Sequence, residues 1–405
     1  MKLLTFLGVG QYTTVTYVWG DREYTTSLFP TALAAWLEPS AVVVLLTPEA
    51  REHANWFRLQ EALAGRVGLA PVDIPLGRSE AELWQIFGTL TDCLNEGDTV
   101  AFDVTHAFRS IPLLSLLVAA YLRVAKSVCL QHLFYGAFEA RQPASMPPQP
   151  TDRAPVFDLS PFLKLLDWVT ATDKFVGSGD GRELAELLRA AHRLPWTAGV
   201  PLDAAPLPRS LQGLGSSLDT LSQALLLARP HEIAENAAKL AQRLDEAGAE
   251  AVRWARPFTV LLERTRAAYE PFTAHTLASQ RDLIQWYFDH GYLFQGVTLA
   301  REWVVSWTCV RLGQDRIADR EVVEEALHQA ARLRRGEGET VASPLLALAE
   351  ADLLLQTWDR VNDLRNDIAH CGHRSQPRPT SRIVEAARGL AEQLKQLPLP
   401  EESSP

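Results

Sequence analysis

Two loops near the N-terminus and one helix near the C-terminus concentrate side chains able to grip phosphate or move protons. Asp103, Thr105, His106 and Arg109 place a carboxylate, a hydroxyl, an imidazole and a guanidinium within one short stretch. Hydroxyls and backbone N–H groups bind phosphate oxygens, while imidazole and guanidinium bind a base edge or a phosphate. A structural alternative has Asp103 and Thr105 satisfying loop backbone and His106 and Arg109 solvated. Upstream, Gly8, Gly10, Gln11 and Tyr12 follow an apolar run. The glycines permit close backbone approach to a ligand, and the Tyr12 ring offers a face for a base; a plain tight turn would use the same residues. The third glycine and the downstream acid of a dinucleotide fingerprint are missing.

Far downstream, Arg365, Asn366 and His370 fall within a helical pattern that Gly372 is placed to end. A guanidinium stabilises developing negative charge, and an imidazole gives and takes a proton near neutral pH. Residues five apart on an ideal helix point about 140° away from each other. Arg365 and His370 therefore do not share a face, whereas Asn366 and His370 do. Either the helix distorts there or two chains complete one site. The structural alternative pairs Arg365 with Asp363 or Asp367 and leaves His370 as a favourable charge at a helix C-terminus. His370, Cys371 and His373 are too tightly spaced for a usual zinc site, and no metal is expected.

The elements that must position these residues change character along the chain. Over the first 135 residues, buried strands at 2–7, 41–47, 68–74, 99–103 and 128–135 alternate with helical patterns at 27–37, 49–63, 79–94 and 110–123. Such alternation means parallel pairing through right-handed crossovers, an open doubly wound sheet. Residues 13–19 alternate in polarity and are expected as a further strand. Five prolines in 141–155 mark a linker where the sheet domain ends. Beyond residue 157 no strand is expected, only helices at 163–175, 181–194, 211–228, 231–247, 250–269, 281–290, 295–311, 321–335 and 344–370. In an open α/β sheet, ligands collect at the carboxyl ends of strands. Both N-terminal loops lie at such ends.

Bulk properties narrow the function class. The chain has 405 residues, is 47% hydrophobic and 22% charged, and carries a formal net charge of −10. That is ordinary globular composition, with no basic domain for a long polyanion. Four cysteines without a CxxC pair suggest reduced thiols. No apolar run reaches the ~18 residues needed to span a bilayer, so a soluble, cytoplasmic protein with no membrane contact is expected.

Asp103-Val104-Thr105-His106, followed by Phe108-Arg109-Ser110, resembles the DxTHG signature of CRISPR-associated sensor proteins with a Rossmann-like CARF domain; Ala107 stands where that pattern has glycine. Leu7-Gly8-Val9-Gly10-Gln11-Tyr12 resembles the other ligand loop of that family. Arg365-Asn366-Asp367-Ile368-Ala369-His370 is similar to the R-x4-H motif of HEPN ribonucleases, and Arg301-Glu302 to a polar pair on an early helix of that domain. The resemblance implies an α/β plus all-α fold, with a CARF domain over 1–155, a helical connector over 156–272 and a HEPN domain over 273–405. It implies that a cyclic oligoadenylate acts as an allosteric activator, with cyclic tetra-adenylate the first expectation and the ring size not set by the sequence. Gly8, Gly10, Gln11, Tyr12, Asp103, Thr105, His106 and Arg109 would bind it across a homodimer. Arg365, Asn366 and His370 would then cut single-stranded RNA without metal or cofactor in type III CRISPR antiviral defence. Arg374, Arg378 and Arg382, in an acid-free stretch, would be either a solvated basic loop or a local RNA-backbone contact. Two other readings remain open: degradation of the cyclic ligand by Thr105, His106 or Tyr12, and a non-catalytic regulator whose helical part only dimerises.

Overall fold

The computed structural model describes residues 1–107, 111–197, 207–337, 344–373 and 376–401. The chain divides into two compact units, Met1–Asp167 and Trp168–Pro405. Among the described residues no helix is long and apolar enough to cross a membrane.

The first unit is built on an eight-stranded sheet of order β3-β2-β8-β7-β6-β1-β4-β5. Its strands are β1 (Lys2–Leu7), β2 (Val15–Trp19), β3 (Arg22–Thr26), β4 (Ala41–Leu46), β5 (Gly68–Asp73), β6 (Thr99–Asp103), β7 (Cys129–Gly136) and β8 (Arg153–Asp158). The run from β7 to β5 is parallel throughout. Alternate residues of β1 and β4 enter two cores. Leu3, Leu7, Val42 and Val44 pack with α1 (Phe29–Leu37) and, past the short α2 (Pro48–Glu52), with α3 (Ala54–Leu63). Leu4, Phe6, Val43 and Leu45 pack with α4 (Glu80–Asp92) and α5 (Ile111–Ala125). Burial on both faces is why these strands read as continuous apolar runs. Because β1 pairs with β4 on one side and β6 on the other, the strand order reverses at β1. A crevice therefore opens over the carboxyl ends of β1 and β6.

The sheet departs from expectation at its far edge. The proline-rich stretch is not the end of the sheet domain, because a strand begins within it: β8 inserts between β2, to which it is parallel, and β7, to which it is antiparallel. Residues 153–155 pair with β2 and residues 156–158 with β7. Pro155, which has no N–H to give a ladder, thus stands where the strand changes partner. Strand β3, also unforeseen, forms a hairpin with β2 across Gly20-Asp21, with Gly20 at φ +59 as such a turn requires. The single helix expected over 49–63 breaks at His53, whose extended backbone ends α2 and whose Nδ1 caps α3.

The second unit is helical, and its first element, α6 (Ser160–Ser178), begins in the first unit. There follow α7 (Arg182–Thr197), α8 (Leu211–Leu226), α9 (Pro230–Trp254), α10 (Arg256–Thr259), α11 (Leu262–Tyr269), α12 (Leu277–Asp289), α13 (Leu293–Arg311), α14 (Arg320–Arg334), α15 (Ala351–Ala369) and α16 (Thr380–Gln396). Helix α9 runs through Gly248, where a break was expected, and stops at Ala255 before Pro257. A helical glycine costs about 1 kcal/mol, whereas an interior proline costs about three times that. The helix expected over 344–370 is a 3-10 turn, Pro344–Ala347, followed by α15. Helix α16 was not expected; it buries Ala387, Leu390, Ala391 and Leu394.

Trp303, Trp307 and Trp358 are fully buried in this unit; the Trp303 and Trp307 indoles of α13 donate to the carbonyls of Leu277 and Pro398, and Trp358 of α15 lies against Arg301 of α13. Helices α12 and α13 meet at Gly296, where an added Cβ would stand 2.5 Å from the Phe288 ring. Gly296→Ala should therefore lower stability by about 1–3 kcal/mol through overpacking, read as a lower urea midpoint by tryptophan fluorescence; an unchanged midpoint would contradict this packing.

Candidate functional site

The loops after β1 and β6 meet in the crevice. The Tyr12 and His106 rings stack at 4.0 Å between centroids, 26° from parallel. The Tyr12 hydroxyl accepts the Gly8 N–H at 2.9 Å. A Cβ at Gly8 would lie 3.1 Å from that hydroxyl and 3.5 Å from the His106 carbonyl, so the close approach of the two loops calls for glycine there. Asn55, buried in the first turn of α3, donates from Nδ2 to the carbonyls of Gly8 at 3.0 Å and Gly10 at 2.9 Å.

Beneath these loops lies Asp103, fully buried at the end of β6. Its carboxylate accepts from the Thr5 hydroxyl at 2.7 Å and from the Thr105 N–H at 2.9 Å. The Thr105 hydroxyl in turn accepts the Gly136 N–H at 2.8 Å, tying the loop to the end of β7. Asp103 thus does the backbone work of the structural alternative, and it is Thr105 and His106 that face the crevice. Burial pushes the Asp103 carboxyl up to about 6 against the opposing pull of its Thr105 and Thr5 hydrogen bonds. Burial likewise pushes His106 down to about 4, so the ring is neutral at pH 7, and its Nε2 accepts the Phe29 N–H at 3.4 Å.

A cavity of about 200 Å³ opens between these loops and β7, lined by Gln11, Tyr12, Thr13, Tyr17, Ser27, Thr105, His106, Tyr135, Gly136, Phe138 and Glu139. The structure thus gathers Gly8, Gly10, Gln11, Tyr12, Thr105 and His106 in one place. Arg109 lies outside the described residues. Burial and a hydrogen bond to Glu139 push the Tyr135 hydroxyl up to about 12. Arg58 braces the lining residue Ser27, its Nη2 donating to the Ser27 hydroxyl at 2.6 Å. Sequence reasoning missed Asn55, Arg58, Tyr135 and Glu139. An asparagine buried in an otherwise apolar helix start was the one available signal, and the rest are assembled only by β7 and α3 packing beside the loops. A larger cavity, about 370 Å³, lies in the helical unit against Leu225, Trp286 and Tyr292, remote in sequence from every candidate residue and mainly apolar.

At the end of α15, Arg365 and His370 are exposed and Asn366 is partly buried. Arg365 donates from Nη1 to Asn366 Oδ1 at 3.1 Å. His370 caps the helix, its N–H donating to the Asn366 carbonyl at 3.1 Å, and the chain then reverses through Cys371 at φ +51 and Gly372 at φ +76. Within this one chain no hydrogen bond links the Arg365 and His370 side chains, as their spacing on a regular helix requires. Arg301 is an ion-pair hub: it donates to Glu302 at 2.8 Å, to Glu324, and to Asn362 Oδ1 at 3.2 Å, one turn before Asn366 on α15. Among the described residues no cluster of three or more His, Cys, Asp or Glu could hold a metal ion.

Comparison with known proteins places one segment. Residues 164–271 match the family model described as the second domain of CRISPR-associated protein MJ1674. CRISPR-associated protein MJ1674 of Methanocaldococcus jannaschii is 30% identical over 118 residues, 28% of this chain and 18% of that protein. The chain thus matches less than a fifth of that relative's length. It carries, over α6 to α11, a domain similar to one of a CRISPR-associated protein. The matched segment falls within the stretch expected as a helical connector, where no residue motif had been found.

The opposed pKa shifts at the crevice give a test. Raised Asp103 means the fold binds a proton that the unfolded chain has released, so its contribution to stability is lost as pH rises from about 4 through about 6, by about 2–3 kcal/mol. Depressed His106 has the reverse slope, its contribution being lost as pH falls from 6.5 through about 4. Asp103→Asn removes only the first. Urea denaturation should show wild type losing about 2–3 kcal/mol relative to Asp103→Asn between pH 4 and pH 7; curves that stay parallel would mean Asp103 is not buried as described.

Proposed function

We propose that the protein is a CRISPR-associated ribonuclease switched on by cyclic oligoadenylate. The observation that carries this reading is the crevice over β1 and β6, where the Tyr12–His106 stack and the Thr105 hydroxyl line one cavity. Such a site offers an aromatic face for adenine and polar loop groups for phosphate, with the Arg58 guanidinium bonded to the lining Ser27. The match of residues 164–271 to a protein named as CRISPR-associated supports the same context.

In this reading the helical unit cuts single-stranded RNA by transesterification. The ribose 2′-hydroxyl attacks the adjacent phosphorus, the bond to the 5′-oxygen breaks, and the products are a cyclic phosphate and a 5′-hydroxyl. His370 moves the proton to or from the reacting oxygens. Arg365 stabilises the charge that builds on the phosphorane-like transition state, and Asn366, bonded to Arg365, orients that guanidinium. Since Arg365 and His370 of one chain point apart, two copies of α15 would have to contribute complementary groups to each cleft, which makes a homodimer part of the chemistry.

The test is cleavage of a labelled single-stranded RNA in EDTA, with and without cyclic tetra-adenylate. Cleavage should require the cyclic ligand and fall at least about 100-fold in His370→Ala. Tyr12→Ala should weaken ligand binding by about tenfold or more, with Tyr12→Phe keeping the ring and most of the affinity. Tight ligand binding without RNA cleavage, or loss of the cyclic ligand during incubation, would displace this reading in favour of a regulator or a ligand-degrading enzyme.

A further inference from the structure

Two acids of α15, Asp363 and Asp367, point closer to the direction of His370 than Arg365 does. Counting 100° per residue, Asp363 lies about 20° from His370 around the helix and Asp367 about 60°, against about 140° for Arg365. Asp363 and Asp367, one turn apart, are like charges that would repel on a bare helix. Asp367 is buried, and its Oδ2 has no hydrogen-bond partner among the described residues. A carboxylate in that position calls for a cation. Arg378 supplies it from beyond the helix: its Nη2 donates to Asp363, and its Nε stands 3.8 Å from Asp367 Oδ2.

We infer that Arg378 is a positioning residue for the proposed RNA-cleaving site, clamping the chain after α15 back onto the helix through Asp363 and Asp367 and so fixing the turn that carries His370. The inference rests on the proposed cleavage only for the role of His370; the clamp itself stands on geometry. The turn is tight: Cys371 N–H donates to the Ile368 carbonyl at 3.0 Å, and His373 N–H to the His370 carbonyl at 2.8 Å. A Cβ on Gly372 would touch the Pro377 side chain at 3.9 Å, so the returning chain packs on the turn just before it reaches Arg378. An arginine shared by two carboxylates forms with them a group of net charge −1, which does not suit a phosphate contact. That separates Arg378 from the reading of this stretch as an RNA-backbone site.

Two measurements on the full chain test the clamp. In hydrogen–deuterium exchange, Arg378→Gln and Asp363→Ala should each speed exchange at the amides of residues 370–373 about tenfold or more, and the double variant should add little. In RNA cleavage both variants should lower kcat by about 10- to 100-fold with KM within about twofold of the parent, and Arg378→Lys should recover part of the loss. A phosphate contact predicts the opposite pattern. Arg378→Gln would then raise KM, Asp363→Ala would lower it by freeing the guanidinium, and exchange would not change; that result overturns the proposal, as does unchanged exchange alone. If the unmodified protein cuts no RNA, the cleavage reading fails while the exchange comparison still decides whether the clamp exists.

Discussion

The buried carboxylate of Asp103 is the contact on which the N-terminal site depends. It ends β6 with no exposed surface, and its two oxygens are taken by the Thr5 hydroxyl from the neighbouring strand and the Thr105 N–H from its own loop. A carboxylate placed so deep is costly unless it is hydrogen-bonded, and satisfying it fixes where the loop leaves the sheet. Thr105 then reaches β7 through the Gly136 N–H, and His106 turns its ring onto Tyr12. From the other side Asn55 holds the carbonyls of Gly8 and Gly10. The cavity is the space these fixed loops leave between them.

The helical unit solves a different problem, how to present charged groups at the end of one helix. Buried Trp358, lying against Arg301 and His328, and the Arg301 ion-pair hub hold the body of α15 against α13 and α14. The last turn packs Leu364 and Ile368 on the core while Arg365 and His370 stay exposed. Beyond it the chain is held by the left-handed reversal at Cys371 and Gly372 and by the Arg378 bridge to Asp363 and Asp367. Rigid body and charge-tied end together keep Asn366 and His370 on one side of α15 while Arg365 points away. A single chain then presents half of the groups that the proposed chemistry needs in one cleft.

Much of this organisation was legible in the residues. Continuous apolar runs bounded by helical patterns announce a parallel sheet because both its faces are covered, and the chemistry-bearing loops fall at strand ends by their place in those runs. The far edge of the sheet was hidden for a definite reason. Pro155 makes β8 look like linker, and only the change of pairing partner at that residue explains how a proline sits there. Helix α16 was obscured in the same way, by reading the acid-free stretch before it as a loop. The segment similar to a CRISPR-associated protein contains none of the residues that type and spacing marked for chemistry.

The sequence by itself determined which residues could do chemistry, the strand-end placement of the N-terminal loops, and the divergence of Arg365 and His370, since local spacing and helical pitch set these without reference to distant contacts. Tertiary structure alone decided which neighbours complete the sites. Asn55, Tyr135, Glu139 and Arg58 join the crevice because α3 and β7 pack beside β1 and β6. Arg378 stands over Asp363 and Asp367 because the chain folds back at Gly372. It also decided that Asp103 supports the loop from beneath rather than facing the cavity, because burial at a strand end is set by the neighbouring strands and helices, which no local spacing reveals.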